Sequence, residues 1–252
     1  MPSLSTPAVV LRATNYGESD RVVTLFGRDT GRVSALARGA RKSQRRFAGG
    51  LGLCAVGAAS LRDRNGAELM TLERFDVTMA HAAFGADVAR MAHAAYAAEL
   101  VGKLCAPRQT EPAVYDWLIE FLERLDGEAA SAERLRVFEL GLLGGLGFGP
   151  VIEGCALCGA TGDDVAFRWD PDRGGAVCVG CARGGRPLAR DVRVALIRLA
   201  RTPLADAARE ALPPDVNRGC REALLEIINH HVSGPLKSIE FIAKVARAGG
   251  AP

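Results

Sequence analysis

The chain has 252 residues, of which 48% are hydrophobic and 24% charged, which is typical of an ordinary globular protein of one large or two modest domains. Its first residues carry neither a basic flank nor a continuous apolar run, and no stretch of about 18 apolar residues occurs anywhere. We therefore expect a cytoplasmic protein with no membrane span and no membrane partner.

The net charge of +3 is unevenly distributed along the chain. Residues 1–80 contain twelve basic and seven acidic side chains, a net charge of +5. The remaining 172 residues contain twenty basic and twenty-two acidic side chains, a net charge of −2. Such localised positive charge indicates an anionic partner for the N-terminal part, and nucleic acid is the first candidate.

Residues 1–80 have the pattern of short strands separated by turns, and we assign them to a first domain. The Asn65-Gly66 dipeptide favours a type I′ hairpin turn. Five strands suit a small closed barrel such as the OB-fold, with an SH3-like barrel as the competing architecture. The predicted strands are Ala8 to Arg12, Arg21 to Phe26, Arg32 to Ala37, Gly52 to Val56 with an extension to Leu61, and Glu68 to Leu72.

A basic loop, residues 38–47, separates the third and fourth predicted strands. Its first nine residues include five basic and no acidic side chains: Arg38, Arg41, Lys42, Arg45 and Arg46. A cationic loop on a barrel neutralises phosphates and releases counterions, so its binding depends on salt and little on sequence. We predict that these five residues contact nucleic acid; a merely solvated loop is the alternative.

Further contacts of this domain are less well defined by the sequence. Phe47 is its best candidate for stacking on a base, although Tyr16, Phe26, Phe47 and Phe75 are each at least as suited to the core. Five more arginines extend the basic track if their strands present them on the same face: Arg12, Arg21, Arg62, Arg64 and Arg74.

Residues 81–252 have helical periodicity, and we assign them to a second, helical domain. Apolar positions recur over residues 88–104, and a second helix includes Pro112 in its first turn with Thr110 as its predicted N-cap. Ser131 is the predicted N-cap of a third helix. Further helices are predicted over residues 190–201, over 218–231 and after Pro235.

Four cysteines interrupt this helical domain in two C-x-x-C knuckles. Cys155 and Cys158 form the first knuckle, nineteen residues follow, and Cys178 and Cys181 form the second. This spacing is typical of a four-thiolate zinc site, and four cysteines close the coordination shell, so we predict a structural zinc finger over residues 155–181. Disulfides, or a finger remnant without metal, are the alternatives. The other three cysteines, Cys54, Cys105 and Cys220, are predicted to be buried thiols.

The sequence contains none of three common catalytic motifs: the Walker-type phosphate loop, H-E-x-x-H and G-x-S-x-G. We therefore expect no enzyme. Two alternatives stay open: a nuclease built from scattered carboxylates, and a zinc-ribbon interaction scaffold that does not bind DNA directly.

Several segments in order resemble the bacterial RecO family of recombination mediators from end to end. They include the stretch from Tyr16 to Arg21, Gly31 in the following turn and the stretch from Ala37 to Lys42. The C-terminal segments are Arg136 to Glu139 with Leu142-Leu143, Leu146 to Pro150 leading into the first knuckle, and Pro235 to Ser238.

The resemblance implies an N-terminal OB-fold, a helical domain with a zinc finger, and no catalysis. It implies binding of single- and double-stranded DNA, annealing of complementary strands, and assistance in loading recombinase on DNA coated by single-strand-binding protein. The implied protein partners are RecR and the acidic C-terminal tail of single-strand-binding protein.

Overall fold

The computed structural model describes residues 3–43, 45–47, 50–63, 67, 69–162 and 164–248, with the side chains of 246–248 excepted. The chain divides into two compact units. The first comprises residues 1–129 and 236–252, and the second comprises residues 130–235. Among the described residues, no helix combines the length and the apolar character that a bilayer span requires.

A closed five-stranded barrel forms the N-terminal part of the first unit, in the order β1-β2-β3-β5-β4 with β4 pairing back to β1. The β3–β5 pairing is parallel and the others are antiparallel. This order is that of an OB-fold and decides against the SH3-like alternative. The strands are β1 (Ser3–Tyr16), β2 (Asp20–Gly27), β3 (Gly31–Ala37), β4 (Val56–Arg62) and β5 (Leu69–Met79).

The barrel closes around side chains that alternate along each strand. In β3, for example, Val33, Ala35 and Ala37 are buried in the core while the residues between them are half-buried. Small alanines in several strands leave room for the larger Leu25, Leu61 and Phe75, which fill the interior. The predicted five-stranded barrel is therefore confirmed, and this alternation defines its inward faces.

The fourth strand begins later than the sequence pattern indicates. Cys54 has a left-handed backbone with φ of 62°, which no β-strand accommodates. Its N–H donates to the Val10 carbonyl at 2.8 Å, and the Val10 N–H donates to the Ala55 carbonyl at 2.9 Å. Residues 52–55 thus form a turn against β1, and β4 starts at Val56. The Asn65-Gly66 hairpin turn and Glu68 lie outside the described residues.

Four helices complete the first unit: α1 (Ala83–Ala86), α2 (Val88–Leu104), α3 (Pro112–Gly127) and, from the chain's end, α7 (Lys237–Ala248). Asp87 caps α2 by accepting hydrogen bonds from the N–H groups of Ala89 and Arg90. The predicted N-cap of α3 is wrong by one residue. Glu111, not Thr110, precedes the helix, because Pro112 occupies its first turn.

The second unit contains α4 (Ala132–Gly145), α5 (Arg190–Arg201) and α6 (Pro214–His231). Ser131 caps α4 as predicted, accepting from the Arg134 N–H at 3.2 Å. A small antiparallel sheet in the order β7-β6-β8 is inserted between α4 and α5. Its strands are β6 (Phe167–Asp170), β7 (Gly175–Cys178) and β8 (Arg186–Leu188). The predicted insertion of a four-cysteine segment into the helical domain is confirmed, whereas the sheet that carries it was not predicted.

Candidate nucleic-acid interface and metal centre

The basic loop is attached to the turn that joins β1 and β2. The guanidinium of Arg41 donates to the Glu18 carbonyl at 2.9 Å, and the Arg41 N–H donates to the Ser19 carbonyl at 3.0 Å. On the other side of the turn, the Asp20 carboxylate accepts from the Gly39 N–H at 2.8 Å. This last hydrogen bond is the main reason why the pKa of Asp20 is lowered. The loop is therefore fixed at its first half.

Arg46 and Phe47 fix the second half of the loop. The Arg46 guanidinium donates to the Arg38 carbonyl at 2.8 Å and lies 5.4 Å from the centroid of the Phe47 ring. Phe47 itself is only 4% exposed and belongs to the barrel core. The interpretation of Phe47 as a stacking residue is wrong, because its ring fills the barrel instead of facing solvent.

The other three predicted contact residues project into solvent. Arg38, Lys42 and Arg45 are exposed, and their side chains have no hydrogen-bond or ion-pair partner within the described part of the chain. Their charge is thus available to an external anion. The five basic residues divide into two that organise the loop and three that are free to bind, and their contact with DNA stays a prediction.

The five further arginines do not form one track. Arg62 is paired with Glu73, and Arg74 is paired with Asp76 at 2.6 Å. The Nε of Arg21 is buried and has no hydrogen-bond partner among the described residues. Arg12 is exposed on β1, and Arg64 lies outside the described residues. Of this group only Arg12 adds a free exposed charge to the described barrel surface.

The four knuckle cysteines converge on one point. Their sulfur atoms all lie within 4.8 Å of one another, and the Cys158 and Cys178 sulfurs are 3.7 Å apart. Four sulfurs at about 2.3 Å from a tetrahedral metal are separated by about 3.8 Å, whereas a disulfide requires about 2.05 Å. All seven cysteines are described and all are free thiols. The spacing therefore fits a metal ion and not a pair of disulfides.

The backbone prepares the site for thiolates. The N–H groups of Cys178 and Leu157 donate to the Cys155 sulfur at 3.3 and 3.4 Å, and these hydrogen bonds lower the pKa of Cys155 to about 6. The neighbouring sulfurs of Cys158 and Cys178 raise the pKa of Cys181 to about 12. Four thiolates would repel one another in this space, so a bound cation would be needed to hold all four in the ionised form, and the donor set fits a metal ion.

Glycines with a positive φ allow the tight turns in and around the knuckles. Gly159 has a φ of 73° where the chain leaves the first knuckle. Gly175 has a φ of 136°, and a β-carbon there would lie 2.3 Å from the Val151 carbonyl oxygen. The sheet and the segment that precedes the first knuckle approach so closely at this point that no larger residue fits.

The finger is anchored to the helices by two residues whose structural role the sequence did not indicate. Trp169 is fully buried, and its indole N–H donates to the Ala223 carbonyl of α6 at 3.0 Å. Arg193 of α5 donates to the Ile152 carbonyl at 2.9 Å, and its guanidinium lies 4.2 Å from the centroid of the Phe167 ring. The alternation of Phe167 and Trp169 with polar residues was the available signal for this strand.

The three remaining cysteines are buried, as predicted. Burial raises the pKa of Cys54 and Cys105 to about 12 and that of Cys220 to about 11. These thiols are neutral at physiological pH and serve as small apolar side chains.

Two family models together match most of the chain. Residues 1–80 match the family model described as Recombination protein O N terminal, and residues 85–240 match Recombination protein O C terminal. The chain belongs to the RecO family.

Curated relatives named DNA repair protein RecO are similar over nearly their full length. The RecO of Anaeromyxobacter sp. (strain K) is 41% identical over 254 residues, which cover 100% of both chains. That of Myxococcus xanthus (strain DK1622) is 37% identical, covering 94% of this chain and 96% of the relative. That of Geobacter sulfurreducens is 36% identical, covering 97% of this chain and 99% of the relative. The RecO resemblance seen in the sequence is thereby confirmed.

Proposed function

We propose that this chain is a recombination mediator in DNA repair. It binds single- and double-stranded DNA through its barrel, anneals complementary strands, and assists recombinase loading on DNA coated by single-strand-binding protein. The observation that carries this proposal is the set of three exposed, unpaired cations, Arg38, Lys42 and Arg45, on a fixed loop of an OB-fold. Membership of the RecO family supports the repair context.

The physical basis of annealing is charge compensation. Two strands repel each other through their phosphates, and a basic surface that holds one or both strands lowers that repulsion without breaking covalent bonds. No catalytic group is needed for this step, so the proposal treats the chain as a non-enzymatic protein. Arg41 and Arg46 contribute mainly by holding the loop, and Arg38, Lys42 and Arg45 contribute direct phosphate contacts.

The metal in this proposal is zinc, held by Cys155, Cys158, Cys178 and Cys181. Four thiolates at tetrahedral spacing favour Zn²⁺ and leave no open coordination position, so the ion is structural. When bound, zinc supplies a cross-link between the two knuckles. The proposed protein partners are RecR and the acidic tail of single-strand-binding protein, and the proposed location is the bacterial cytoplasm at the nucleoid.

We propose no residues for the contact with the acidic tail, and three arginines of α5 have partners or are buried within the second unit. Arg193 is buried, Arg198 is paired with Glu210 at 2.7 Å, and Arg201 is paired with Glu153 at 2.6 Å. Exposed ion pairs such as the last two contribute little stability, and we propose no tail contact among these three residues.

The decisive experiment is annealing of two complementary, fluorescently labelled oligonucleotides at low and moderate salt, with and without single-strand-binding protein. The test variant replaces Arg38, Lys42 and Arg45 with alanine and leaves Arg41 and Arg46 to hold the loop. The control variant replaces Arg173, Arg183 and Arg218, three exposed arginines of the second unit, and so removes the same charge.

We expect the wild-type protein and the control variant to accelerate annealing in a salt-sensitive manner, also on coated strands. Loss of three phosphate contacts should reduce the slope of log K against log salt by about 2 for single strands. If the test variant and wild type bind DNA with equal affinity at low salt, the basic loop is not part of the DNA-binding site. Absence of any polynucleotide binding by the wild-type protein would instead favour the interaction scaffold.

A further inference from the structure

The outer face of the barrel near the β1–β2 turn is defined by the strand register. Tyr16 pairs with Asp20, Thr14 with Val22, and Arg12 with Thr24. Paired residues on adjacent strands share a face. Val23 and Leu25 alternate with these β2 residues and lie in the core, so Arg12, Thr14 and Tyr16 point outward.

Tyr16 is the most exposed large hydrophobic side chain among the described residues, with 61% of its surface accessible. The other aromatic residues of the barrel region, Phe26, Phe47 and Phe75, are at most 4% exposed. Within the described part of the chain, Tyr16 therefore presents the one accessible aromatic ring of the barrel strands and the basic loop. An exposed ring of this kind gains favourable contact area when another flat apolar group covers it.

The backbone that carries this ring is fixed to the basic loop. Arg41 donates to the Glu18 carbonyl and to the Gly17 carbonyl, which directly follows Tyr16. The Asp20 carboxylate, opposite Tyr16 in the register, accepts hydrogen bonds from the Ser19 hydroxyl at 2.9 Å and the Gly39 N–H. These contacts hold the backbone that carries Tyr16 next to the backbone of the basic loop, which reduces the entropy lost on binding a strand.

We propose that Tyr16 stacks on an unpaired nucleobase of a single strand whose phosphates contact the basic loop. The inference rests on the proposed DNA binding and adds a base contact to it. Stacking requires an accessible base face, which a single strand offers and an intact duplex does not. Tyr16 is thus the residue by which the barrel prefers single strands over duplex, whereas Arg38, Lys42 and Arg45 bind both.

The first test compares Tyr16→Ala and Tyr16→Phe with wild type in binding to oligothymidylate and to a duplex of equal length. Phe241→Ala is the matched control, because it removes another exposed aromatic ring, on α7. We expect Tyr16→Ala to lose about tenfold in single-strand affinity, since stacking on an aromatic side chain is worth about 1–3 kcal/mol per base. Tyr16→Phe and Phe241→Ala should stay within about twofold of wild type.

Two further readouts separate stacking from a general loss of charge or folding. The salt dependence of binding should be the same for Tyr16→Ala and wild type, because no phosphate contact is removed. Duplex affinity should also be unchanged, and the thermal unfolding of the variant should match wild type because the side chain is exposed. A reduced salt dependence, or equal losses on single strand and duplex, would contradict the assignment.

Photochemical cross-linking gives a direct readout of the contact. A single strand carrying 5-iododeoxyuridine is irradiated in complex with the protein, and the adduct is located by mass spectrometry. We expect the adduct on Tyr16, its retention in Tyr16→Phe and its loss in Tyr16→Ala. If the wild-type protein binds single strands but Tyr16→Ala binds equally well, the Tyr16 inference is wrong and the DNA-binding proposal stands. If the wild-type protein binds no polynucleotide, both are wrong.

Discussion

Gly31 is the residue at which the β2–β3 turn meets the segment that follows α2. Its φ is 65°, and a β-carbon there would lie 1.9 Å from the Gln109 carbonyl oxygen. The neighbouring Arg32 donates from Nε to the Cys105 carbonyl at 2.9 Å, and its own carbonyl accepts from the Arg108 N–H. Glycine is needed here because backbone approaches backbone, and no side chain can move aside.

We predict that Gly31→Ala lowers the free energy of unfolding by about 2–4 kcal/mol, because backbone strain and the steric clash add. Gly17→Ala is the matched control. It has a similar φ of 60°, but nothing lies within 4 Å of its β-carbon position. The control should lose only the strain, about 1–2 kcal/mol. Urea unfolding of the two variants measures the difference, and equal losses would show that the approach to Gln109 carries no cost.

At the scale of elements, the four-cysteine finger has an anchor that needs no metal and two knuckles that a metal ion would join. Trp169 and Arg193 attach the sheet to α5 and α6 through buried contacts that involve no cysteine. The first knuckle contacts β7 through the Ala156 N–H, which donates to the Ala176 carbonyl at 2.8 Å, but only a bound metal ion would join all four sulfurs. Removal of the metal should therefore loosen the knuckles before it affects the helices.

We predict that a chelator releases one zinc ion per chain and increases amide hydrogen exchange over residues 151–182, while the barrel strands keep their protection. Cys158→Ser should reproduce this effect, since Cys158 is the exposed ligand and its replacement disturbs packing least. Val179→Ala, at a 59% exposed position of the second knuckle, is the control that keeps all four ligands. Elemental analysis of the purified protein checks the stoichiometry, and a metal-free folded chain with unchanged exchange would contradict the prediction.

The basic loop shows what a charge pattern predicts and what it does not. The sequence located the loop and its five cations, because no acidic residue interrupts residues 38–46. It did not separate Arg41 and Arg46, which hold backbone carbonyls, from Arg38, Lys42 and Arg45, which face solvent. Nor did it place Phe47 in the core. These distinctions depend on contacts with residues 18–20 and with the barrel interior, which a local pattern does not contain.

For the whole molecule, period-two and helical patterns predicted most elements because their apolar faces are buried within the units. The knuckle spacing predicted the metal ligands because a tetrahedral site constrains sequence directly. Strand order did not follow from pattern, since the parallel β3–β5 pairing joins residues more than thirty positions apart. The C-terminal helix α7 belongs to the first unit, although the second unit separates it from the rest of that unit in sequence. Helical periodicity does not predict such a non-local arrangement.

An acidic side chain of α2 binds the start of α7. The Glu99 carboxylate accepts hydrogen bonds from the N–H groups of Lys237 and Ser238 at 3.0 and 2.8 Å, and so caps the first turn of α7. Burial opposes its ionisation, but the hydrogen bonds from Ser238 and Lys237 outweigh this effect and lower the pKa of Glu99 below its ordinary value of 4.5. A carboxylate at a helix N-terminus is also favoured by the helix dipole.

We predict that Glu99→Gln lowers the free energy of unfolding by about 1–2 kcal/mol at pH 7 and increases amide exchange in α7. Because the pKa of Glu99 is lower in the folded state, its contribution is present above the unfolded-state pKa and is lost as pH falls through the folded-state pKa. The difference between wild type and variant should therefore shrink below about pH 4.5. Urea unfolding across this range provides the measurement. A difference that stays constant with pH would mean that Glu99 acts through packing and not through its charge.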